Sequence, residues 1–407
     1  MARPSGRCRP ALAYYINGHG FGHATRSIAI LNALWRESPG RRVLIRTDAP
    51  DFLFRKSCEG PYRLLPGTVD PGTIQADPLH LDRNASVEAR ARWHRELPRR
   101  VAAERALLAE EHVGLIAGDI PPLAFETAST LDVPSVALGN FSWDWIFEPY
   151  LVGSATGEDL LAAMRGAYRR ADLLLRMPLH GEMTAFREVE DIPHVVRPSR
   201  AAPATIRRAL GVREERRPLV LVSFGGFAAV RFREEARPDP GPFRFVTFGE
   251  GLSGLPGDTV RLPVNHAFRH EDLVAAADAV IMKPGYGTIA ECLTSRTPFL
   301  YTSRDDFREY GVLVQGVRER ARCRFVPRED LLSLCWRQHL EVLLSDRRPW
   351  APVRTGGAAA AAARLLELLE GAGARRGASP ARGGGGHVTP GLEAGNDPGG
   401  WKRDESG

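Results

Sequence analysis

Residues 11–26 read Ala-Leu-Ala-Tyr-Tyr-Ile-Asn-Gly-His-Gly-Phe-Gly-His-Ala-Thr-Arg, and this stretch decides the fold. Leu12 to Ile16 is a short apolar run of the kind that forms a buried strand. Gly18, Gly20 and Gly22 follow, and glycines let a backbone turn sharply and admit another molecule at close range. A helix is expected from about His23, with Ile28, Leu31, Leu34 and Trp35 along one face. Strand, glycine turn and helix together form the opening of a nucleotide-binding α/β unit. This turn also carries two histidines, His19 and His23. A helix N-terminus favours anions, and a histidine beside it can act as a general base. Either histidine can fill that role, or His19 can simply bond backbone within the turn.

The remaining sequence sets the frame. A chain of 407 residues, 43% hydrophobic, suggests two domains. The five cysteines, Cys8, Cys58, Cys292, Cys323 and Cys335, are scattered and contain no C-x-x-C pair. That argues against a disulfide framework and against structural zinc. The basic opening residues precede only about six apolar ones, too few for a signal peptide, and no run reaches the length of a membrane helix. The expectation is a cytoplasmic protein. The formal charge of +6 comes almost wholly from arginine, with lysine only at Lys56, Lys283 and Lys402. The arginines are spread along the chain and not interleaved with aromatics, so a nucleic-acid partner is not expected.

Apolar strands and amphipathic helices then alternate: strands near residues 42–47, 62–65, 113–117, 135–138 and 172–177, with helices between them. Ser86 to Glu111 reads as a long charged helix kinked at Pro98, and residues 68–84 as a long polar loop. Asn140 to Tyr150 reads as an aromatic loop. The alternation predicts a doubly wound parallel sheet. After a proline-bearing break the pattern restarts, with strands at 219–223, 243–248, 260–262, 279–282 and 299–302. The division expected is an N-terminal domain over 8–195, a linker at 196–204, a C-terminal domain over 205–370 and a disordered tail from 371 to 407.

The second half holds Lys283-Pro-Gly285-Tyr-Gly287-Thr288-Ile-Ala-Glu291, followed by Pro298. A strand leads into a glycine turn and a helix mouth, where backbone N–H groups and the Thr288 hydroxyl can hold a diphosphate. Glu291 lies on the same helix face and suits a grip on ribose hydroxyls. Thr288-x-x-Glu291 also has the form of a capping box that merely starts a helix. Asp119, at a strand end, can orient a histidine or cap the helix after Pro121-Pro122. Trp143 and Asp144 can form an acceptor wall or simply pack. No cluster has metal-ligand spacing, and no cofactor is expected.

Together Gly-x-Gly-His near the N-terminus, Gly225-Gly226 after the first strand of the second half, and Pro-Gly-x-Gly-Thr-x-x-Glu-x(6)-Pro resemble the GT-B glycosyltransferases. The sub-type is the one that contains the lipid-II-forming N-acetylglucosaminyltransferase and plant galactolipid synthases. Tyr15 to Arg26, Asn140-Phe-Ser-Trp-Asp144, Ala49-Pro-Asp51-Phe, Gln75-Ala-Asp77, Asp82-Arg83 and Lys283-x-Gly285-Tyr-Gly-Thr288 resemble more closely the glycosyltransferase-like N-terminal region of plant arabinose kinases. That similarity runs from about residue 11 to 370, with no counterpart of their sugar-kinase domain expected.

The resemblance implies two Rossmann-like domains facing across a cleft, with a nucleotide-sugar donor held mainly by the C-terminal one. It places Gly285, Gly287 and Thr288 at the diphosphate, with Tyr286 between them, and Glu291 at the ribose. Leu262 to His266, including Val264, would lie near the base, and Asp305 or Asp306 at the sugar hydroxyls. Gly20, Gly22, Gly225 and Gly226 count as donor-side turns, and His23 is the candidate base, without a catalytic metal. Phe227, Arg296, Ser303 and Arg304-Asp305-Asp306 depart from the family pattern. The resemblance implies an otherwise unspecified acceptor, a UDP-sugar donor and room for peripheral membrane contact. A sugar-nucleotide epimerase of the same fold and a non-catalytic sugar-nucleotide-binding protein are the rival readings.

Overall fold

Ala11–Ile16 is buried along its whole length, as a strand must be when both sheet faces are covered by helices. The computed structural model describes residues 9–77, 79–212, 217–225, 230–233, 241–249, 251–304 and 307–377. Gly226, Phe227, Asp305, Asp306 and residues 378–407 lie outside the described residues. Among the described residues, seven strands form one sheet. Their order is Tyr62–Pro66, Val43–Thr47, Ala11–Ile16, Val113–Asp119, Ser135–Gly139, Leu173–Arg176 and Val189–Asp191, every neighbouring pair parallel.

A second sheet repeats the plan. Its order is Val260–Leu262, Arg244–Phe248, Leu219–Ser223, Ala279–Met282, Phe299–Tyr301 and Cys323–Phe325, again all parallel. In each sheet the chain leaves its first strand toward one edge and later returns to the other side. That reversal falls between Ala11–Ile16 and Val113–Asp119, and between Leu219–Ser223 and Ala279–Met282. Ligands of open α/β sheets bind in the crevice outside the strand ends at such a point.

Four expectations are corrected. The aromatic stretch is not a loop: Trp143–Leu151 is a helix, with Trp143, Ile146 and Phe147 buried on one side. Glu329 to Leu344 reads in sequence as one helix, whereas the structure has two, Arg328–Leu332 and Arg337–Ser345. They break at Leu334, whose φ is 58°, while Trp336 turns in to donate its indole N–H to the Leu331 carbonyl. The loop at 68–84 contains an antiparallel pair, Gln75–Asp77 with His80–Leu81, and Asp82 caps the helix Arg83–Leu108. That helix carries Pro98 inside it. Finally, Gly357–Gly377 extends past residue 371 as a helix. It packs on the first helix, Phe21–Glu37, and on Val113–Asp119. Residues 357–370 thus lie against the first sheet, although they follow the second in sequence. Ala361, Ala362, Leu365 and Leu369 drive this, since their apolar stripe is buried in the same core cluster as Ile28 and Leu31.

Candidate functional site

The two reversal points face one cleft of about 790 Å3, lined from both halves. On the first side the glycine turn is built by Asn17, whose side-chain oxygen accepts the His19 backbone N–H at 2.7 Å. Gly20 has φ 79° and immediately precedes the helix, a backbone state that favours glycine. The helix then brings His23 and Arg26 onto one face. Both meet Asp119, which ends the adjacent strand and is fully buried.

His23 Nδ1 lies 2.9 Å from Asp119 Oδ1. Arg26 donates from Nε to Oδ2 at 2.6 Å and from Nη2 to Oδ1 at 2.5 Å. Ser27 adds a bond to Oδ2 at 3.3 Å. Burial pushes the Asp119 pKa up, but the Arg26 charge and then His23 outweigh it and hold it down at about 2. Asp119 is therefore a carboxylate at neutral pH, and it occupies His23 at Nδ1. Nε2 is the ring nitrogen left to meet a substrate hydroxyl, and His23 lines the cleft. The helix-cap role for Asp119 is excluded: the next helix, Pro122–Leu131, has no side-chain cap.

His19 also lines the cleft. Its Nε2 lies 3.2 Å from the Thr73 hydroxyl. Burial, then His23, Arg304, Lys283 and Arg90, push its pKa down to about 3, so it stays neutral. Among the described residues no carboxylate is hydrogen-bonded to it, which separates it from His23.

On the second side, Gly285 caps the helix Tyr286–Ser295. A Cβ placed on Gly285 or Gly287 would meet nothing within 4 Å, so this backbone is open to the cleft. Because the helix starts at Tyr286, Thr288 sits inside its first turn and is not its cap. The capping-box alternative therefore falls away. Glu291 is instead held by side chains: His270 Nδ1 lies 2.6 Å from Oε2, and Arg197 lies 3.7 Å from Oε1. His270 Nε2 in turn reaches the Ser223 hydroxyl at 2.8 Å. Burial opposes charge on His270, but Glu291 more than offsets this and raises its pKa.

Lys283 and Arg304 line the cleft beside this turn. Burial first, then Arg304, pushes the Lys283 ammonium down to about 7. Its Cε lies 3.6 Å from the position of a Cβ on Gly225, so Lys283 and Gly225 meet at the ends of the two central strands. Arg304 is 3.7 Å from Glu309. Val264 borders the cleft as expected, whereas His266 does not. The His266 ring packs against Phe268, accepts its N–H at 3.0 Å, and its carbonyl accepts from Lys56.

Trp143 borders the cleft, and its ring stacks 5.0 Å from the Arg90 guanidinium. Asp144 does not line it; it is buried behind, 3.6 Å from Arg165. Phe21 and Phe52 pack edge to face at 5.8 Å, and Phe141 and Phe307 at 6.0 Å. These aromatics add apolar surface to the cleft lining.

Gly20, Gly22, His19, His23, Trp143, Gly225, Val264, Gly285, Tyr286, Gly287, Thr288 and Glu291 thus converge on one cleft. Arg26, Asn140, Arg197, His270, Lys283 and Glu309 join the site without having been singled out for it in the sequence. Three of them stand in quoted motifs: Arg26 closes Tyr15 to Arg26, Asn140 opens Asn140 to Asp144, and Lys283 opens the glycine motif.

Two parallel sheets with facing strand ends are the GT-B glycosyltransferase architecture, and solved structures of that class match the chain. The calicheamicin glycosyltransferase CalG4 aligns with TM-score 0.53 and 15% identity, covering 91% of this chain and 97% of that one. Arabidopsis thaliana UGT89C1, complexed with UDP, aligns with TM-score 0.59 and 15% identity over 89% of this chain and 99% of that one. In sequence, the chain is 31% identical over 354 residues to L-arabinokinase of Arabidopsis thaliana, across 86% of this chain. It spans about a third of that relative's length. The chain has the GT-B fold and is related in sequence to L-arabinokinase, as the motifs had implied. No family model matches it.

Proposed function

We propose that this chain is a glycosyltransferase that moves a sugar from a UDP-sugar to an acceptor hydroxyl in the cytoplasm. The observation that carries the reading is His23 paired with Asp119 at one reversal point, across the cleft from the open Gly285–Thr288 turn at the other. UGT89C1, of the same fold, has been solved with UDP and with UDP-L-rhamnose, which supports a uridine donor.

In the proposed reaction the acceptor hydroxyl lies against His23 Nε2. Its oxygen attacks the anomeric carbon of the donor while the bond from that carbon to the diphosphate oxygen breaks. The hydroxyl proton passes to Nε2, and the Asp119 carboxylate stabilises the imidazolium so formed. The diphosphate leaves as an anion toward the helix mouth at Gly285–Thr288, with Lys283 and Arg304 beside it. Glu291, steadied by His270, takes the ribose hydroxyls. No helix among the described residues is long and apolar enough to cross a membrane.

The test is a variant. His23→Ala should abolish sugar transfer while UDP affinity, read by calorimetry, stays within a few-fold. Loss of UDP binding in that variant would make His23 structural and remove the assigned base.

A further inference from the structure

Arg26 has more partners than Asp119 needs. Two of its nitrogens hold the carboxylate, while Nη1 donates to Asn140 Oδ1 at 2.9 Å. Asn140 then donates from Nδ2 to Glu309 Oε1 at 2.8 Å. The order of donors is fixed, because a guanidinium can only donate and a carboxylate can only accept. Glu309 opens the helix Glu309–Arg318 of the second half. The guanidinium also lies 5.7 Å from the ring centre of Tyr286, the first helical residue after Gly285. Arg26, Asp119, Asn140 and Glu309 are all buried, each at most 6% exposed. Arg26 therefore reaches the second half twice, directly at Tyr286 and through Asn140 at Glu309.

We propose that Arg26 is a positioning residue that couples closure of the two halves over a nucleoside diphosphate to the setting of the His23–Asp119 pair, through Tyr286 and through Asn140–Glu309. The proposal rests on the functional reading above. The Asn140–Glu309 bond joins the halves and so stabilises their closed arrangement. A ligand gripped between the halves binds that arrangement better, and its affinity falls when the closed state loses support. The coupling is reciprocal, so the ligand must also firm the contacts around Asp119. Arginine suits this place because its planar fork makes two bonds to one carboxylate and keeps a third direction free.

The test uses the full chain and UDP. Calorimetric titration is made on wild type, Asn140→Ala, Glu309→Ala, Glu309→Gln and the double alanine variant. Each single alanine variant should bind UDP five- to twentyfold more weakly, and the double variant no more weakly than either single one. Glu309→Gln keeps an oxygen for Asn140 and should recover most of the affinity that Glu309→Ala loses. In spectra of 15N-histidine-labelled protein, UDP should move the His23 ring signals in wild type and not in Asn140→Ala.

Unchanged UDP affinity in Asn140→Ala overturns the proposal, as do losses that multiply in the double variant. A loss confined to the Glu309 variants overturns it too and makes Glu309 a direct ligand contact. Equal His23 shifts in wild type and Asn140→Ala remove the link to the base. A folded wild type that binds no nucleoside diphosphate overturns the functional reading itself, and the proposal falls with it. Melting temperatures within a few degrees of wild type identify the variants that fold; if Asn140→Ala does not, Glu309→Ala against Glu309→Gln decides.

Discussion

Asp119 holds an imidazole and a guanidinium with one carboxylate, and this makes it the residue whose replacement is most informative. Asp119→Asn removes the charge from beneath both His23 and Arg26. Transfer should fall by on the order of 10²–10⁴, the span a positioned general base supplies. Stability should fall by about 3–5 kcal/mol, since Arg26 is left buried without its carboxylate. Urea unfolding and a transfer assay read the two effects separately. Asp119 also sets an acid limit. Its folded pKa of about 2 is below the usual 3.8, so its contribution is full above pH 4 and is lost as pH falls toward 2. That contribution is on the order of 2 kcal/mol.

Lys283 gives a prediction of the opposite sense. It is pushed down to about 7 in the open cleft, and a diphosphate beside it would favour the charged form. Below pH 7 the ammonium is already present, so UDP affinity should be level. Above pH 7 binding must take up a proton, so affinity should drop by up to about tenfold per pH unit. Lys283→Met should bind UDP more weakly and lose this slope. A wild-type affinity flat from pH 6 to 9 would separate Lys283 from the ligand.

At the scale of elements, the central strands were legible because their side chains face no water. Leu219–Ser223 and Ala279–Met282 are apolar runs closed by a glycine or a lysine turn, and the structure places both as read. Of the edge strands, Val189–Asp191 and Cys323–Phe325 were not legible. Val189–Asp191 is exposed along its length and mostly acidic, so no burial pattern marks it. The aromatic helix Trp143–Leu151 is hard to read because residues 140–142 and Pro149 look like loop chemistry, while tertiary packing places Trp143 against Arg90 and Phe141 and Trp145 against Arg308. The Arg26, Asn140 and Glu309 part of the Asp119 network was not legible for another reason. Arg26 meets partners 93 and 114 residues away, and Asn140 meets Glu309 169 residues away. No spacing rule spans such distances.

The last helix carries its own prediction. Leu365 is fully buried in the cluster that contains Ile28 and Leu31. Leu365→Ala should lower stability by about 2–5 kcal/mol, the range for a buried leucine, and urea denaturation measures it. Little change would mean that Gly357–Gly377 is not a stable clamp on the first sheet.

For the whole molecule, the two sheets present their reversal points to one cleft, and side chains cross it. Lys56 bonds the carbonyls of His266 and Phe268, and Arg308 reaches Trp145 and Glu148. Leu79, on the hairpin of the first half, belongs to the core cluster of Val222 and Phe224 in the second. The doubly wound halves were legible in the sequence, since each repeats strand, glycine turn and helix. Their facing arrangement was implied only by the resemblance, because no local pattern encodes how two sheets meet.

Nucleotide-sugar binding in this cleft is tested most directly by thermal unfolding with UDP-, GDP-, TDP- and CDP-sugars, with NAD and ATP as controls. A saturating ligand at a hundred times its dissociation constant adds about 2.7 kcal/mol to stability. A clear rise in melting temperature is expected with a UDP-sugar and none with NAD or ATP. A folded sample whose melting temperature no nucleotide-sugar raises, or only ATP raises, would contradict it.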